Sequence, residues 1–252
     1  MTSFFYSRLS SFYFCYYFFV GLFVPYWGIY LSSLSFTAIQ IGALLSLFQI
    51  SRIFAPNLLG WIADHSGEYI KWIKISSFFG FILFFGIFWA HSFVSIFLIM
   101  MAMSVFTSST LPLAESLTLA HLKANKANSK YSHIRLWGSI GFIVAAILLG
   151  MMIDSIGEQA LIYALLLTQL TIFLLAFLLP RKRVIFKERN KRPIWSILKN
   201  REVIVLLLSC ALMVSSHGLL YNFYSIFLEQ QGYSGTTIGL LWSVGVVFEI
   251  LI

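Results

Sequence analysis

Residues 104–141, SVFTSSTLPLAESLTLAHLKANKANSKYSHIRLWGSIG, place ionisable side chains inside otherwise apolar segments. Glu115 lies in an apolar segment that begins near Phe93. A short polar loop with three lysines follows, and Arg135 opens the next apolar segment. A charged side chain in hydrocarbon is costly and normally faces a bundle interior or a water-filled path. The stretch therefore predicts two consecutive membrane helices whose polar groups point inward.

One face of the first of these helices is polar. Stepping back from Glu115 at helical intervals meets Ser108 and Ser104, so these side chains share a face. Glu115 and Arg135 lie near adjoining ends of antiparallel helices, and a paired ion is less costly than a lone one. We predict that the two pair and line a cavity together with Ser108. The alternative is a static ion pair that locks two helices.

The composition indicates an integral membrane protein. The chain has 252 residues, of which 60% are hydrophobic and 10% charged, whereas soluble domains carry about 25% charged residues. At about 20 residues per crossing, the charge-free stretch between Arg8 and Arg52, interrupted at 31–37, is an out-and-back helical pair. Further spans are predicted at residues 72–90, 93–120, 136–153, 160–179, 203–228 and 236–252. The sequence thus predicts an all-α protein with seven full helices and part of an eighth.

The lysines and arginines fall on one side of this arrangement. The loops at 31–37, 90–92, 154–159 and 229–235 contain none, which predicts a cytoplasmic N-terminus and central loop. The net charge of +8 then faces anionic lipid headgroups, and no nucleic-acid partner is predicted. Asp154, at the opposite side, is expected to be a solvated helix end. No HExxH, GxSxG, phosphate loop or metal-spaced cluster occurs, so neither an enzyme, a cofactor nor a metal site is predicted.

Further polar and aromatic residues are candidates for the transport path. Tyr16, Phe23 and Trp27 recur at helical spacing in the first helix, and they line either the cavity or the membrane interface. Glu249 has no basic neighbour in sequence and is a candidate proton carrier, or else the partner of an arginine across the bundle. His217 is either a second titratable group or a hydrogen-bonded core histidine.

The chain contains an internal repeat. Shifted by 197 residues, LSSLSFTAIQIGALLS (31–46) aligns with LEQQGYSGTTIGLLWS (228–243). Both copies begin on the same side, which indicates a parallel repeat of helix bundles. We therefore divide the chain into an N-terminal six-helix bundle (1–180), a basic cytoplasmic linker (181–201) and the start of a second bundle (202–252).

The segment GWIADHSGEYIKW (60–72) resembles the loop motif between helices 2 and 3 of the major facilitator superfamily, with Gly60, Asp64 and Gly67 at matching positions. The resemblance implies a role for these residues in conformational change. Arg52 is grouped with these motif residues. It lies too deep for an ordinary headgroup anchor, and we expect it to form an ion pair within the bundle, the alternative being a side chain that partly snorkels.

Within that superfamily, residues 134–142 (IRLWGSIGF) and 232–249 (GYSGTTIGLLWSVGVVFE) resemble the group that holds the 3-phenylpropionate/proton symporter and is related to lactose permease. The resemblance implies that Glu115 and Arg135 match an acid and an arginine that hold a solute. It also implies that Phe142 stands where a tryptophan stacks on sugar. The fold has twelve helices, so the chain is expected to be C-terminally truncated, with a complete N-terminal half, helix 7 and part of helix 8.

Together these features predict a monomeric, proton-coupled transporter of the bacterial inner membrane that works by alternating access. Its partners are a small-molecule solute, protons and membrane lipids. The favoured solute is an aromatic or other organic acid whose carboxylate meets Arg135. The alternatives are a sugar or nucleoside proton symporter, or a truncated membrane protein that transports nothing.

Overall fold

The computed structural model describes residues 3–90, 92–125, 127–180 and 199–251. Within these ranges the chain forms eight α-helices and two short 3₁₀ segments, Gly86–Trp89 and Asn128–Lys130. The helices are α1 (Ser3–Ser33), α2 (Ala38–Ser66), α3 (Tyr69–Phe85), α4 (Phe93–Ala124), α5 (Tyr131–Ile156), α6 (Gln159–Ala176), α7 (Arg201–Gln230) and α8 (Gly235–Leu251). Seven are long and apolar enough to cross a membrane and α8 is shorter, which confirms the sequence prediction.

The helix ends follow from local sequence signals. Thr37 and Ser92 each form a capping box that starts α2 and α4, satisfying backbone N–H groups that have no partner within a helix. Gly67 ends α2 with a φ of +66°, a left-handed conformation that glycine adopts at little cost. The long apolar runs between these signals make up the membrane-spanning helices.

Helix α1 lies at the centre of the bundle and packs against α5, α6 and α7, while α4 packs against α2 and α3. The α1–α5 contact depends on glycine. A β-carbon added at Gly141 would overlap the backbone oxygen of Phe14, and one added at Gly21 would meet the backbone of Phe142. Small residues let helix backbones approach this closely within a membrane.

A second close contact joins α5 to α8. Gly150 faces Gly235, Gly239 faces the Ala146 backbone, and the Tyr26 hydroxyl donates to the backbone oxygens of Ala146 and Gly235 at 2.6 and 3.0 Å. These contacts fix the beginning of α8 against the middle and end of α5.

Asp154 caps this junction. Its carboxylate accepts hydrogen bonds from the backbone N–H of Gly235 (2.6 Å) and Thr236 (2.9 Å) and from the Thr236 hydroxyl (2.6 Å). A carboxylate at a helix N-terminus offsets the positive end of the helix dipole. Asp154 is exposed, as expected for a solvated helix end, but the sequence analysis did not predict that its side chain also caps α8.

Helix α7 is packed differently. None of the residues in its most apolar stretch is buried, and it approaches α1 in its second half, where Ile226 and the Asn222 backbone lie close to Gly28. The proposed linker at 181–201 lies largely outside the described residues, since only its last three positions fall within them.

Candidate functional site

A cavity of about 340 Å³ opens between α1, α2 and α4. Binding sites for small molecules typically span about 300–1,000 Å³, so this space is large enough for a small solute. Its wall is mainly apolar and aromatic with one cation, and consists of Tyr16, Tyr17, Val20, Arg52, Pro56, Ser108, Leu111 and Pro112. Of the candidates named from the sequence, Tyr16, Ser108 and Arg52 lie in this wall.

The cavity lies at the middle of the membrane-spanning helices. Arg52 is fourteen residues from each end of α2, which corresponds to about 21 Å of helix on either side. A hydrocarbon core about 30 Å thick extends about 15 Å from its midplane. Arg52 therefore lies near the centre of the bilayer, beyond the depth at which an arginine side chain easily reaches the headgroups.

Two prolines make the wall more polar than its side chains indicate. Pro56 and Pro112 lie inside α2 and α4. Proline has no N–H to donate to the carbonyl four residues earlier, and those carbonyls belong to Arg52 and Ser108. Both residues line the cavity. Facing helices thus each have a backbone acceptor that lacks its usual helical partner, at a place where water or a solute can supply one.

Arg52 has a neutral neighbour in place of the expected acid. Its guanidinium donates a long hydrogen bond of 3.4 Å to Gln49. The one salt bridge among the described residues joins Lys71 and Glu68 at 3.1 Å. The ion pair expected for Arg52 is therefore absent from the described part of the chain.

The polar face of α4 points into the bundle. Ser104 and Ser108 are buried, and Ser104 shares a 2.5 Å hydrogen bond with Ser51 of α2. The Tyr16 hydroxyl donates to the Thr107 backbone oxygen at 3.2 Å. These bonds connect the cavity wall across α1, α2 and α4.

Glu115 and Arg135 form a separate cluster nearer the basic end of the bundle. The Arg135 guanidinium lies 4.0 Å above the centre of the Tyr17 ring. Glu115 is within electrostatic range of Arg135 and interacts with the Tyr131 side chain, but no salt bridge joins it to Arg135. The predicted ion pair is therefore not formed, and neither residue is in the wall of the cavity described above. Tyr17 separates this cluster from the cavity.

The other aromatic candidates contribute to packing. Trp27 is fully buried and stacks on Phe23 with ring centroids 5.2 Å apart. Phe142 is buried at the junction of α5 and α8, where its ring centroid lies 6.4 Å from that of Trp242. In this structure these three side chains are core residues rather than part of the cavity wall.

The candidate proton carriers of α7 and α8 are not part of this wall. His217 is exposed, interacts through Nδ1 with the Met213 carbonyl at 2.8 Å and stacks on Tyr221. Glu249 is exposed on α8. The structure thus brings neither residue into the cluster around Glu115.

The loop motif lies at the basic end. Asp64 accepts a hydrogen bond from the Tyr69 hydroxyl, and Gly67 forms the left-handed cap of α2. A β-carbon at Gly60 would meet nothing within 4 Å, so close packing within the described residues does not require glycine there.

Comparison with known proteins gives consistent results. A model of the MFS_1 like family matches residues 6–252. The chain is 29% identical over 246 residues to the probable 3-phenylpropionic acid transporter of Escherichia coli (strain K12), covering 95% of this chain and 64% of that protein. It is 28% identical over 235 residues to the maltose permease of Geobacillus stearothermophilus, covering 91% and 58%.

Among solved structures, the nucleoside transporter NupG matches with a TM-score of 0.83 at 20% identity, covering 99% of this chain and 66% of that one. At this identity the match supports the fold alone. The chain spans less than two thirds of the length of the curated relatives named above.

Proposed function

Because this chain belongs to the MFS_1 like family, we propose that it takes part in secondary transport of a small organic solute by alternating access. The observation that carries the proposal is the cavity of about 340 Å³ between α1, α2 and α4. It lies near the bilayer midplane, which is where secondary transporters bind their solutes. Its apolar and aromatic wall with one cation is typical of a site for a small amphiphilic molecule.

The favoured solute is an aromatic or other organic acid. The Tyr16 and Tyr17 rings supply flat surface for the body of such a molecule, and Arg52 adds positive charge in the same wall. The similarity to a probable 3-phenylpropionic acid transporter supports the same class.

Proton coupling is proposed for Glu115. Its carboxylate is half-buried and interacts electrostatically with Tyr131 and Arg135 of α5, so a shift of α4 against α5 would change the free energy of its charged form. Glu249 and His217 remain further candidates in α8 and α7. The motif residues Gly60, Asp64 and Gly67 are proposed to act in the conformational change, together with the α2–α3 loop.

The test is uptake by proteoliposomes that contain the natural full-length protein. A solute gradient of 3-phenylpropionate should drive proton entry, recorded with a pH-sensitive dye inside the vesicles. Glu115→Gln should abolish proton entry while counterflow of solute persists, because exchange needs no net proton transfer. Absence of solute-dependent proton entry for every acid and sugar tested would contradict the proposal.

A sugar or nucleoside is the second candidate, favoured by the 28% identity to a maltose permease. Neutral sugars or nucleosides would then compete for uptake and organic acids would not. The proposed setting is the bacterial inner membrane with a cytoplasmic N-terminus. The orientation is supported by the loops, since lysine and arginine occur on one side of the membrane and are absent from the loops of the other. The protein is proposed to act as a monomer.

A further inference from the structure

Arg52 and Arg135 both lie within membrane-spanning helices of the described part of the chain, and they differ in position and in neighbours. We propose that Arg52, rather than Arg135, binds the carboxylate of the solute in the cavity between α1, α2 and α4. The assignment rests on the proposed transport of an organic acid and names the residue that selects for its charge.

Depth is the first difference. Arg52 is fourteen residues from either end of α2, whereas Arg135 is four residues from the start of α5, about 6 Å along the helix. An arginine near a helix end can extend its charge toward the headgroups. A cation at the bilayer midplane has no such option and is strongly disfavoured unless it serves a solvent-filled path or a ligand.

The neighbours are the second difference. Arg135 already has an aromatic ring beneath its guanidinium, 4.0 Å away, and the Glu115 carboxylate within electrostatic range. Arg52 has a single 3.4 Å hydrogen bond to a neutral amide. Among the described residues no carboxylate forms a salt bridge with it. A free carboxylate therefore gains more at Arg52, where it would be the first anionic partner.

The wall around Arg52 completes the site. The guanidinium is the only formal charge among the eight lining side chains, and the others are two tyrosines, one serine and four apolar residues. A molecule with one carboxylate and an apolar or aromatic body matches this distribution. The carbonyls of Arg52 and Ser108, which lack their helical donors because of Pro56 and Pro112, would accept from a hydroxyl or from water carried with the solute.

The experiment compares each acid with its neutral amide. The purified full-length protein is titrated with benzoate, phenylacetate and 3-phenylpropionate and with the corresponding amides, and binding is followed by calorimetry. The wild type should prefer the acid to the amide. Arg52→Gln should reduce this preference by about tenfold or more, because a charge-assisted hydrogen bond is lost. Arg135→Gln tests the competing assignment and should keep the preference for acid over amide, even if it alters proton coupling through Glu115.

Thermal unfolding of the ligand-free protein supplies a readout that does not depend on binding. Arg52→Gln should raise the unfolding temperature, because it removes an unpaired cation from the bilayer centre. Arg52→Lys retains the charge and should keep part of the acid preference. An arginine with a purely structural role would give the opposite result, with lower stability in Arg52→Gln and an unchanged ratio of acid to amide affinity.

The two possible failures are distinguishable. If the wild type binds the acids but Arg135→Gln loses the preference, or both variants lose it equally, the assignment to Arg52 is wrong and the proposed transport stands. If the wild type transports sugars or nucleosides and binds no acid, the proposed solute class is wrong and the assignment falls with it.

Discussion

The two sides of α1 are built in opposite ways. Toward α5 the backbones touch, because Gly21 and Gly141 remove the β-carbons that would separate the helices. Toward α2 and α4 the helices stand apart around a cavity whose wall contains Pro56, Pro112 and the charged Arg52. Helix α1 thus belongs to a tightly packed layer, α1–α5–α8, and also forms part of the wall of the cavity.

The contrast shows how a membrane bundle separates rigidity from binding. Small residues drive close helix packing in lipid, where the hydrophobic effect does not hold helices together. Proline and a midplane charge weaken packing, and they persist where a path or a ligand makes use of them. Substitutions in the packed layer should therefore change stability, whereas those in the cavity wall should change binding more than stability.

The largest expected effect comes from filling the α1–α5 contact. Gly141→Leu places a side chain where the Phe14 backbone oxygen already lies, so the helices must separate. The loss of stability should be about 3 kcal/mol or more, since overpacking in a rigid contact is poorly relieved. Thermal unfolding of the purified protein measures it. Gly245→Leu is the matched control, because a β-carbon there would meet nothing within 4 Å. Equal effects of the two substitutions would refute the packed-layer description.

The next effect concerns the cap of α8. Asp154→Ala removes three hydrogen bonds to Gly235 and Thr236 and should lower stability by about 1–2 kcal/mol, the usual range for losing a helix N-cap. Hydrogen exchange should increase first in the amides at the start of α8. Glu158→Ala is the control, because Glu158 precedes α6 without a side-chain capping bond. Unchanged exchange in α8 after Asp154→Ala would show that glycine packing alone holds the junction.

The sequence predicted the helices better than the site, and particular residues show why. Long apolar runs and the distribution of charge determine spans, and the spans were confirmed. Helical spacing placed Tyr16, Phe23 and Trp27 on an inward face, but an inward face borders both core and cavity, and only Tyr16 reaches the cavity.

Two other features were not predicted, each for a different reason. The cap formed by Asp154 joins residues 81 and 82 positions apart, and nothing local signals it. The prolines at 56 and 112 were visible in the sequence. They lie four residues after Arg52 and Ser108. This spacing was an overlooked signal for two backbone carbonyls without helical donors, and so for a polar wall.

A smaller effect is expected in the cavity wall. Pro112→Ala restores an N–H that can bond to the Ser108 carbonyl and so removes an acceptor from the cavity. Solute affinity should fall about threefold, equivalent to one average hydrogen bond between helices, while thermal stability stays equal or rises. Pro25→Ala is the control, because Pro25 lies inside α1 but outside the cavity wall. Equal affinity losses in both variants would indicate a general change in helix shape.

The smallest effect separates two tyrosines one turn apart in α1. The Tyr16 hydroxyl donates to the Thr107 carbonyl at 3.2 Å, longer than the usual distance for a hydroxyl donor, so Tyr16→Phe should lower stability by about 0.6 kcal/mol or less. The Tyr13 hydroxyl is buried near the Thr118 side chain, but it makes no contact with the geometry of a hydrogen bond. Tyr13→Phe should therefore be neutral or stabilising, because it removes a desolvated polar group. The free energy of unfolding of both variants, measured under identical detergent conditions, tests this difference in sign. If Tyr13→Phe lowers stability more than Tyr16→Phe does, the polar connection of the wall runs through Tyr13.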